Sequence, residues 1–175
     1  MNILGLDIST TTIGVCILNE KSEILLMTYV KPSGNNFLEK LDFASSELFN
    51  KLKSFQIDCI YTEQSNIMFS KGLSRAQVIA TVLRFNGALL FALYKEFNIL
   101  PKEVMASSAR KKVIGKGKFI DAKKAVFDHV YSIVKDSIDW PKKERGQNKG
   151  KFANECFDMA DAYIVAKYGV LNETK

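Results

Sequence analysis

The chain opens on two apolar runs separated by a short polar break. Asn2 to Leu18 reads as a strand, a turn at Ser9-Thr10-Thr11-Thr12, and a second strand resuming at Gly14. Asn19 to Ser22 is a polar hairpin connection into a third strand, Glu23 to Tyr29, and Pro32 to Asn36 ends the pattern. From Phe37 to Phe55, apolar residues at positions 38, 41, 44, 48, 49, 52 and 55 recur at helical spacing. Ile57 to Glu63 is a short buried strand. Leu73 to Phe97 predicts a helix roughly 37 Å long at 1.5 Å per residue, apolar nearly all round from Phe85 onward. Val104 to Ala106 predicts another short strand, and Ile120 to Val134 another helix. Trp140-Pro141 opens a basic, glycine-containing linker, and Asn154 to Val165 is the last helix, with Asn154 placed to cap it.

Three strands in a meander followed by alternating helices and strands imply an α/β chain with a mixed sheet covered by helices. Its 175 residues fit one domain, 1–175, with neither a repeat nor a composition shift to mark a second. The start, Met1-Asn2-Ile3 with Asp7 close behind, lacks a secretory pattern, and the apolar stretch from Gly87 to Tyr94 is too short to span a bilayer. A cytoplasmic protein with no membrane partner is expected. Cys16, Cys59 and Cys156 lie dispersed in apolar runs, which argues against a disulfide framework or a zinc site. A single histidine, His129, makes Ser-His or Cys-His catalysis unattractive.

The net charge of +6 is unevenly spread. Arg110 to Lys124 holds seven basic residues against one acid, and Lys142 to Lys151 holds five against one, so the remainder of the chain is net acidic. Such concentration suits a polyanion. Solvated lysine-rich loops would read the same way taken singly.

Four acids stand out against apolar surroundings. Asp7 ends the run Ile3 to Leu6, Glu63 ends Ile57 to Thr62, and Asp158 and Asp161 interrupt an otherwise apolar final helix. Each has an ordinary explanation alone: a turn residue, an internal salt bridge, a solvated helix face. Together they need a shared counter-charge, because unpaired buried carboxylates are costly. Residues three apart share a helix face, so Asp158 and Asp161 point the same way, and Glu155 extends the spacing. Parallel neighbouring strands would set Asp7 and Glu63 side by side. An all-oxygen donor set suits Mg2+, with Mn2+ able to substitute, and two such ions could serve phosphodiester hydrolysis.

Four stretches resemble RuvC-type Holliday junction resolvases of the RNase H-like superfamily. They are Gly5-Leu6-Asp7 with Gly14, Tyr61-Thr62-Glu63-Gln64, Arg110 to Val126 around Gly115-Lys116-Gly117, and Asp158-Met159-Ala160-Asp161-Ala162. The resemblance implies an RNase H-like, mixed five-stranded sheet flanked by helices. It also implies a homodimer cutting two like strands of a four-way DNA junction, with Leu73 to Phe97 as the dimer-forming helix. Asp7, Glu63, Asp158 and Asp161 then correspond to catalytic, metal-holding acids. Arg110 and Lys123 correspond to phosphate-binding residues, with Lys124 an alternative to Lys123; Lys112, Lys116 and Lys118 extend the DNA-binding set. Two departures suit a viral or otherwise distant member. Asn66 stands where the family often has an aromatic residue, with Phe69 the nearest one, and Ile8-Ser9-Thr10-Thr11 replaces the usual turn after the first acid. A different RNase H-like nuclease, acting on RNA, hybrids or flaps, is the nearest alternative. Asp7 to Gly14 also resembles a phosphate loop of actin-like kinases, but the chain lacks length for their second domain. A structural DNA-binding protein would have little use for four acids near phosphates.

Overall fold

Alternation along the first strand decides the layering. In the computed structural model, which describes residues 1–64 and 73–174 and only the backbone of 73–75, β1 (Asn2–Ile8) buries Leu4, Leu6 and Ile8 on one face of a sheet. Ile3 faces the other way, as do Gly5 and Asp7 by the two-residue period of a strand. β2 (Ile13–Asn19) and β3 (Ile24–Val30) complete an antiparallel meander, and β4 (Cys59–Glu63) and β5 (Lys102–Val104) add in parallel on the other side of β1. The spatial order is β3-β2-β1-β4-β5. This is the mixed sheet that the pattern implied, with the five strands that the resemblance implied.

α1 (Phe37–Leu52) and α2 (Leu73–Phe97) cover the face holding Leu4 and Leu6. Asn36 caps α1 by accepting from the Leu38 and Glu39 amides, while Glu39 accepts from the Asn36 side-chain amide and from the backbone amide of Asn35 just before the cap. α2 turns Phe85, Leu89 and Leu93 into that core and interlocks with α1 through edge-on Phe37–Phe85 and Phe49–Phe97 pairs. Its other face leaves Tyr94 and Phe91 exposed, the latter by 65%. Ala76–Phe97 is also long and apolar enough to cross a membrane by length and composition, farther than the Gly87 to Tyr94 core of that run suggested. The burial of Phe85, Leu89 and Leu93 among sheet residues is that of a helix covering a sheet.

The opposite face carries α3 (Ala106–Ile114), α4 (Ala122–Val134) and α5 (Glu155–Glu173). The sequence pattern does not predict α3. The fifth strand runs two residues earlier than that pattern indicates, and the helix begins where the strand should end. Gly115 ends α3 in the left-handed region at φ 84°. α5 runs two turns beyond Val165 because Gly169 lets it lie on Ile3 and Tyr61, and Glu173 at its end accepts from the Tyr61 hydroxyl and Lys102. Asn154 precedes α5 in helical conformation and its side chain makes no capping hydrogen bond, so the cap expected there is absent. Cys16 and Cys156 are buried, Cys59 partly so, and all three are free thiols.

Candidate active site

The register between β1 and β4 pairs Leu6 with Thr62, one residue short of Asp7 and Glu63. The two acids therefore leave the sheet side by side, on the face that carries α5. The helix is brought down onto them by two glycines. A Cβ on Gly5 would lie 2.4 Å from the Ala166 amide nitrogen, and one on Gly14 would lie 2.0 Å from the Asp158 carbonyl oxygen. Gly14 is also the partner of Asp7 in the β1–β2 ladder, so one small residue sets the height of Asp158 over Asp7. Asp158 and Asp161, one helical turn apart, then face the sheet acids across a cleft of about 1260 Å³ lined by all four.

The acids feel one another. Burial pushes the Asp7 carboxyl well above its ordinary value, and the charges of Asp161, Glu63 and Asp158 push it further, against a weaker pull from Lys123. Glu63 is raised to about 7, by burial first and Asp161 second, with Arg110 and Lys123 opposing. Asp158 and Asp161 are raised chiefly by burial too. Lys123 and Thr12 temper the first; Arg110 and Lys123 temper the second. Arg110 Nη2 stands 3.4 Å from Asp161 Oδ1, and Lys123 Nζ stands 3.6 Å from Asp158 Oδ1. Asp161 is 5% exposed, so its pairing with Arg110 lies in a weakly screened setting. Among the described residues no three Asp, Glu, His or Cys side chains are drawn together closely enough to hold an ion as they stand. Four carboxylates share a cleft, yet two of them lean on cations.

The basic residues divide. Arg110, Lys123 and Lys124 line the cleft. Lys124 also pairs with Asp128. Lys116 and Lys118 are exposed on the α3–α4 loop, outside the cleft lining, with Lys116 Nζ 5.4 Å from the Phe119 ring centre. Lys112 points elsewhere, bonding Asn172 and lying 5.2 Å from the ring centre of Tyr168 near the end of α5. Asn66 and Phe69 lie outside the described residues. Glu155 sits at the cleft rim in an ion pair with Lys31; burial alone would raise its carboxyl, but Lys31, its own backbone amide and Lys143 together hold it below the usual range.

Three contributors escape a reading of the sequence. Gly14 figures there only as part of a motif, although its place inside a strand run marks a site of close backbone approach. Thr12 tempers the Asp158 carboxyl from a turn in which the Ser9 hydroxyl accepts from the Thr12 amide at 3.0 Å. Lys31 has no local signal at all; only the sheet edge brings it to α5.

No family model and no curated protein sequence matches the chain. Solved structures do match in fold. Thermus thermophilus RuvC is 19% identical, with a TM-score of 0.66 over 99% of this chain and 96% of that one. The yeast mitochondrial Holliday junction resolvase is 18% identical, with a TM-score of 0.60 over 96% of this chain and 77% of that one. The fowlpox virus resolvase, solved with Holliday junction DNA, is 12% identical, with a TM-score of 0.58 over the full length of both. The four sequence motifs and the three-dimensional match thus arrive at the same place: the chain has the α/β, RNase H-like fold of the RuvC-type resolvases.

Proposed function

We propose that this protein is a divalent-metal-dependent endonuclease that makes paired nicks in branched DNA, resolving four-way junctions. The observation that carries this is the convergence of Asp7, Glu63, Asp158 and Asp161 in one cleft faced by Arg110 and Lys123. The structural neighbours, two resolvases of cellular origin and one viral, support junctions as the substrate.

The donor chemistry fits magnesium or manganese: four oxygen-bearing side chains, mutually repelling and partly desolvated, with only two cations to offset them. Asp7, Glu63, Asp158 and Asp161 would hold the ions. Bound there, two divalent ions supply activation of the attacking water and charge stabilisation for the leaving oxygen. The chain's own cations do the rest. Arg110 lines the cleft beside Asp161, where its guanidinium can meet a phosphate oxygen. Lys123 holds a second point of positive charge beside Asp158, and Lys124 a third at the mouth. The rigid ladder of β1, β2 and β4 fixes the acids, so the phosphodiester is aligned by the scaffold and not by a loop.

The exposed outer face of α2, with Phe91 and Tyr94, supports a homodimer whose two clefts would each cut one strand. Purified protein should be given a four-way junction, a three-way junction, a flap and an RNA–DNA hybrid, each with magnesium. Symmetric paired nicks in the four-way junction are expected. Cleavage confined to the hybrid would replace this function with the alternative nuclease, and sedimentation as a monomer at micromolar concentration would remove the dimer.

A further inference from the structure

The segment between α4 and α5 is not used by the cleft chemistry, and it is too well built to be a slack connection. A bridge pairs Lys142 with Phe152, the Lys143 amide donates to the Lys151 carbonyl at 2.8 Å, and the Gly150 amide returns to the Lys143 carbonyl at 2.9 Å. Two inner turns close it, Lys149 amide to Gly146 carbonyl and Lys151 amide to Asn148 carbonyl. Gly146 and Gly150 take the left-handed conformations, φ 78° and 84°, that this doubling back requires. The foot of the hairpin is aromatic. Phe127 lies 5.0 Å from Phe152 and 5.3 Å from the buried Trp140 between ring centres, and the Cys156 thiol donates to the Pro141 carbonyl.

On this anchored foot the hairpin displays charge and little else. Lys142, Arg145 and Lys149 are exposed and Lys143 is half-buried, against one exposed acid, Glu144, and none of the four cations is in an ion pair among the described residues. A fold that merely had to connect two helices gains nothing from clustering like charges. Between the hairpin and β3 lies a hollow of about 630 Å³ lined by Tyr29, Lys31, Lys143 and Arg145. It meets the acidic cleft at Lys31, Asn154 and Glu155, which line both. Glu155 is the acid at that junction, and Lys31 neutralises it. The basic hollow under the hairpin therefore opens directly into the cleft across a neutralised rim, the Lys31–Glu155 pair.

We propose that this hairpin is a second phosphate-binding surface, which holds the sugar-phosphate backbone of a duplex arm of the branched substrate away from the cut. The inference rests on the nuclease function proposed above. The occupant is DNA because the basic hollow is continuous in space with the cleft, so a backbone leaving the cleft runs onto it. It is the backbone and not the bases because lysine point charges predominate, which carry no sequence information.

The test uses the full-length protein in EDTA and fluorescence anisotropy with labelled four-way junctions of long and short arms. The K143A/R145A/K149A protein should melt as the wild type does, since these side chains are exposed or half-exposed. On long arms its binding should weaken, and its log K against log salt slope should flatten by about 0.9 for each phosphate no longer neutralised. On arms too short to reach the hairpin the two proteins should bind alike, and saturating single-turnover cleavage should keep its rate. An unchanged slope on long arms overturns the proposal, as does equal loss on both arm lengths. Anionic vesicles or an acidic peptide that compete with duplex DNA through the same three residues would also overturn the assignment of a DNA occupant. Wild-type protein that binds no branched DNA overturns the nuclease function itself, an outcome read before any variant is made.

Discussion

The acidic wall and the basic side of the cleft are built by opposite means. Every acid stands on a regular element whose height and register are fixed: Asp7 and Glu63 by the parallel β1–β4 ladder, Asp158 and Asp161 by a helix resting on Gly5 and Gly14. The basic side is made from a short helix, a loop and a helix start, and its side chains diverge: Arg110 and Lys123 turn inward, Lys112 turns away, Lys116 and Lys118 stand in solvent. The wall is a strained electrostatic object, held by packing against its own repulsion. The basic side is relaxed and can adjust to a bulky substrate. Atoms that must meet reacting groups within fractions of an ångström are placed on rigid elements; those that only neutralise phosphates are not.

The comparison breaks most decisively at the acids. Asp7→Asn keeps size and shape but removes one donor charge from the cluster. Cleavage of a four-way junction with magnesium is expected to fall to background, while binding in EDTA is preserved. The metal-free protein should melt higher than the wild type, because burial first, and then the charges of Asp161, Glu63 and Asp158, disfavour the ionised Asp7 carboxylate. Relief of about 1 kcal/mol would appear as roughly 2–4 °C in a chain of this size. Asp161→Asn should likewise abolish cleavage, but with less gain in melting temperature, since Arg110 already offsets that charge. Cleavage surviving in both variants would remove the wall from the chemistry.

A second prediction tests whether rigidity itself matters. Gly14→Ala adds one methyl group where the Asp158 carbonyl oxygen stands 2.0 Å away. The carbonyl is backbone and cannot swing aside as a side chain would, so the α5 terminus must lift. Overpacking of this kind costs typically about 1–3 kcal/mol. Cleavage should drop much further than that stability loss implies, because Asp158 moves while its charge is unchanged. Melting and single-turnover cleavage measured on the same preparation separate the two effects. Cleavage that tracks only the folded fraction would mean the wall tolerates movement, and the contrast between the two sides would weaken.

The same contrast explains what is legible in the sequence. Asp7 and Glu63 can be read because a strand with a charged residue at its end breaks a two-residue pattern, and the pattern dictates the face. Asp158 and Asp161 can be read because the rest of their helix is apolar. α3 cannot. Only Ala106 and Ala109 of its nine residues are fully buried, Met105 at its start offers no capping side chain, and its lysines mask any amphipathic signal. The positioning of Arg110 is therefore invisible in the sequence, even though the family resemblance marks the residue. The part played by Gly14 is hidden for another reason: a close approach between β2 and α5 exists only once the sheet and helix have come together.

Burial of the wall, and after it the repulsion within the wall, also make a pH signature. Glu63 in the folded, metal-free protein holds its proton up to about pH 7, against an ordinary value near 4.5. The folded state therefore binds that proton more tightly than the unfolded state. Its contribution to stability is complete below the ordinary value and is lost as pH rises through about 7. In EDTA the melting temperature of the wild type should fall between pH 5 and pH 8 relative to Glu63→Gln. The shift corresponds to on the order of 3 kcal/mol, or about 5–10 °C. Magnesium should restore the loss at pH 8 and do little at pH 5, where the acid is protonated. Parallel pH profiles for the two proteins would mean that Glu63 does not share the field of the other acids.

The smallest expected effect lies on the basic side, and it separates residues that sequence alone treats as equivalent. Lys112 and Lys116 belong to the same basic run, but Lys112 bonds Asn172 and lies over Tyr168, whereas Lys116 is exposed beside Phe119. Lys112→Ala should leave the salt dependence of junction binding unchanged and cost under about 1 kcal/mol of stability, the range of a partly exposed polar contact. Lys116→Ala with Lys118→Ala should do the reverse: no change in melting, and a salt slope flatter by about 0.9 for each phosphate left without its lysine. If Lys112→Ala flattens the slope as well, its ammonium leaves Asn172 for the DNA on binding, and the basic side would be looser still than its resting geometry indicates. If neither variant changes the slope, the positive charge that meets DNA is confined to the cleft and to whatever lies continuous with it through Lys31.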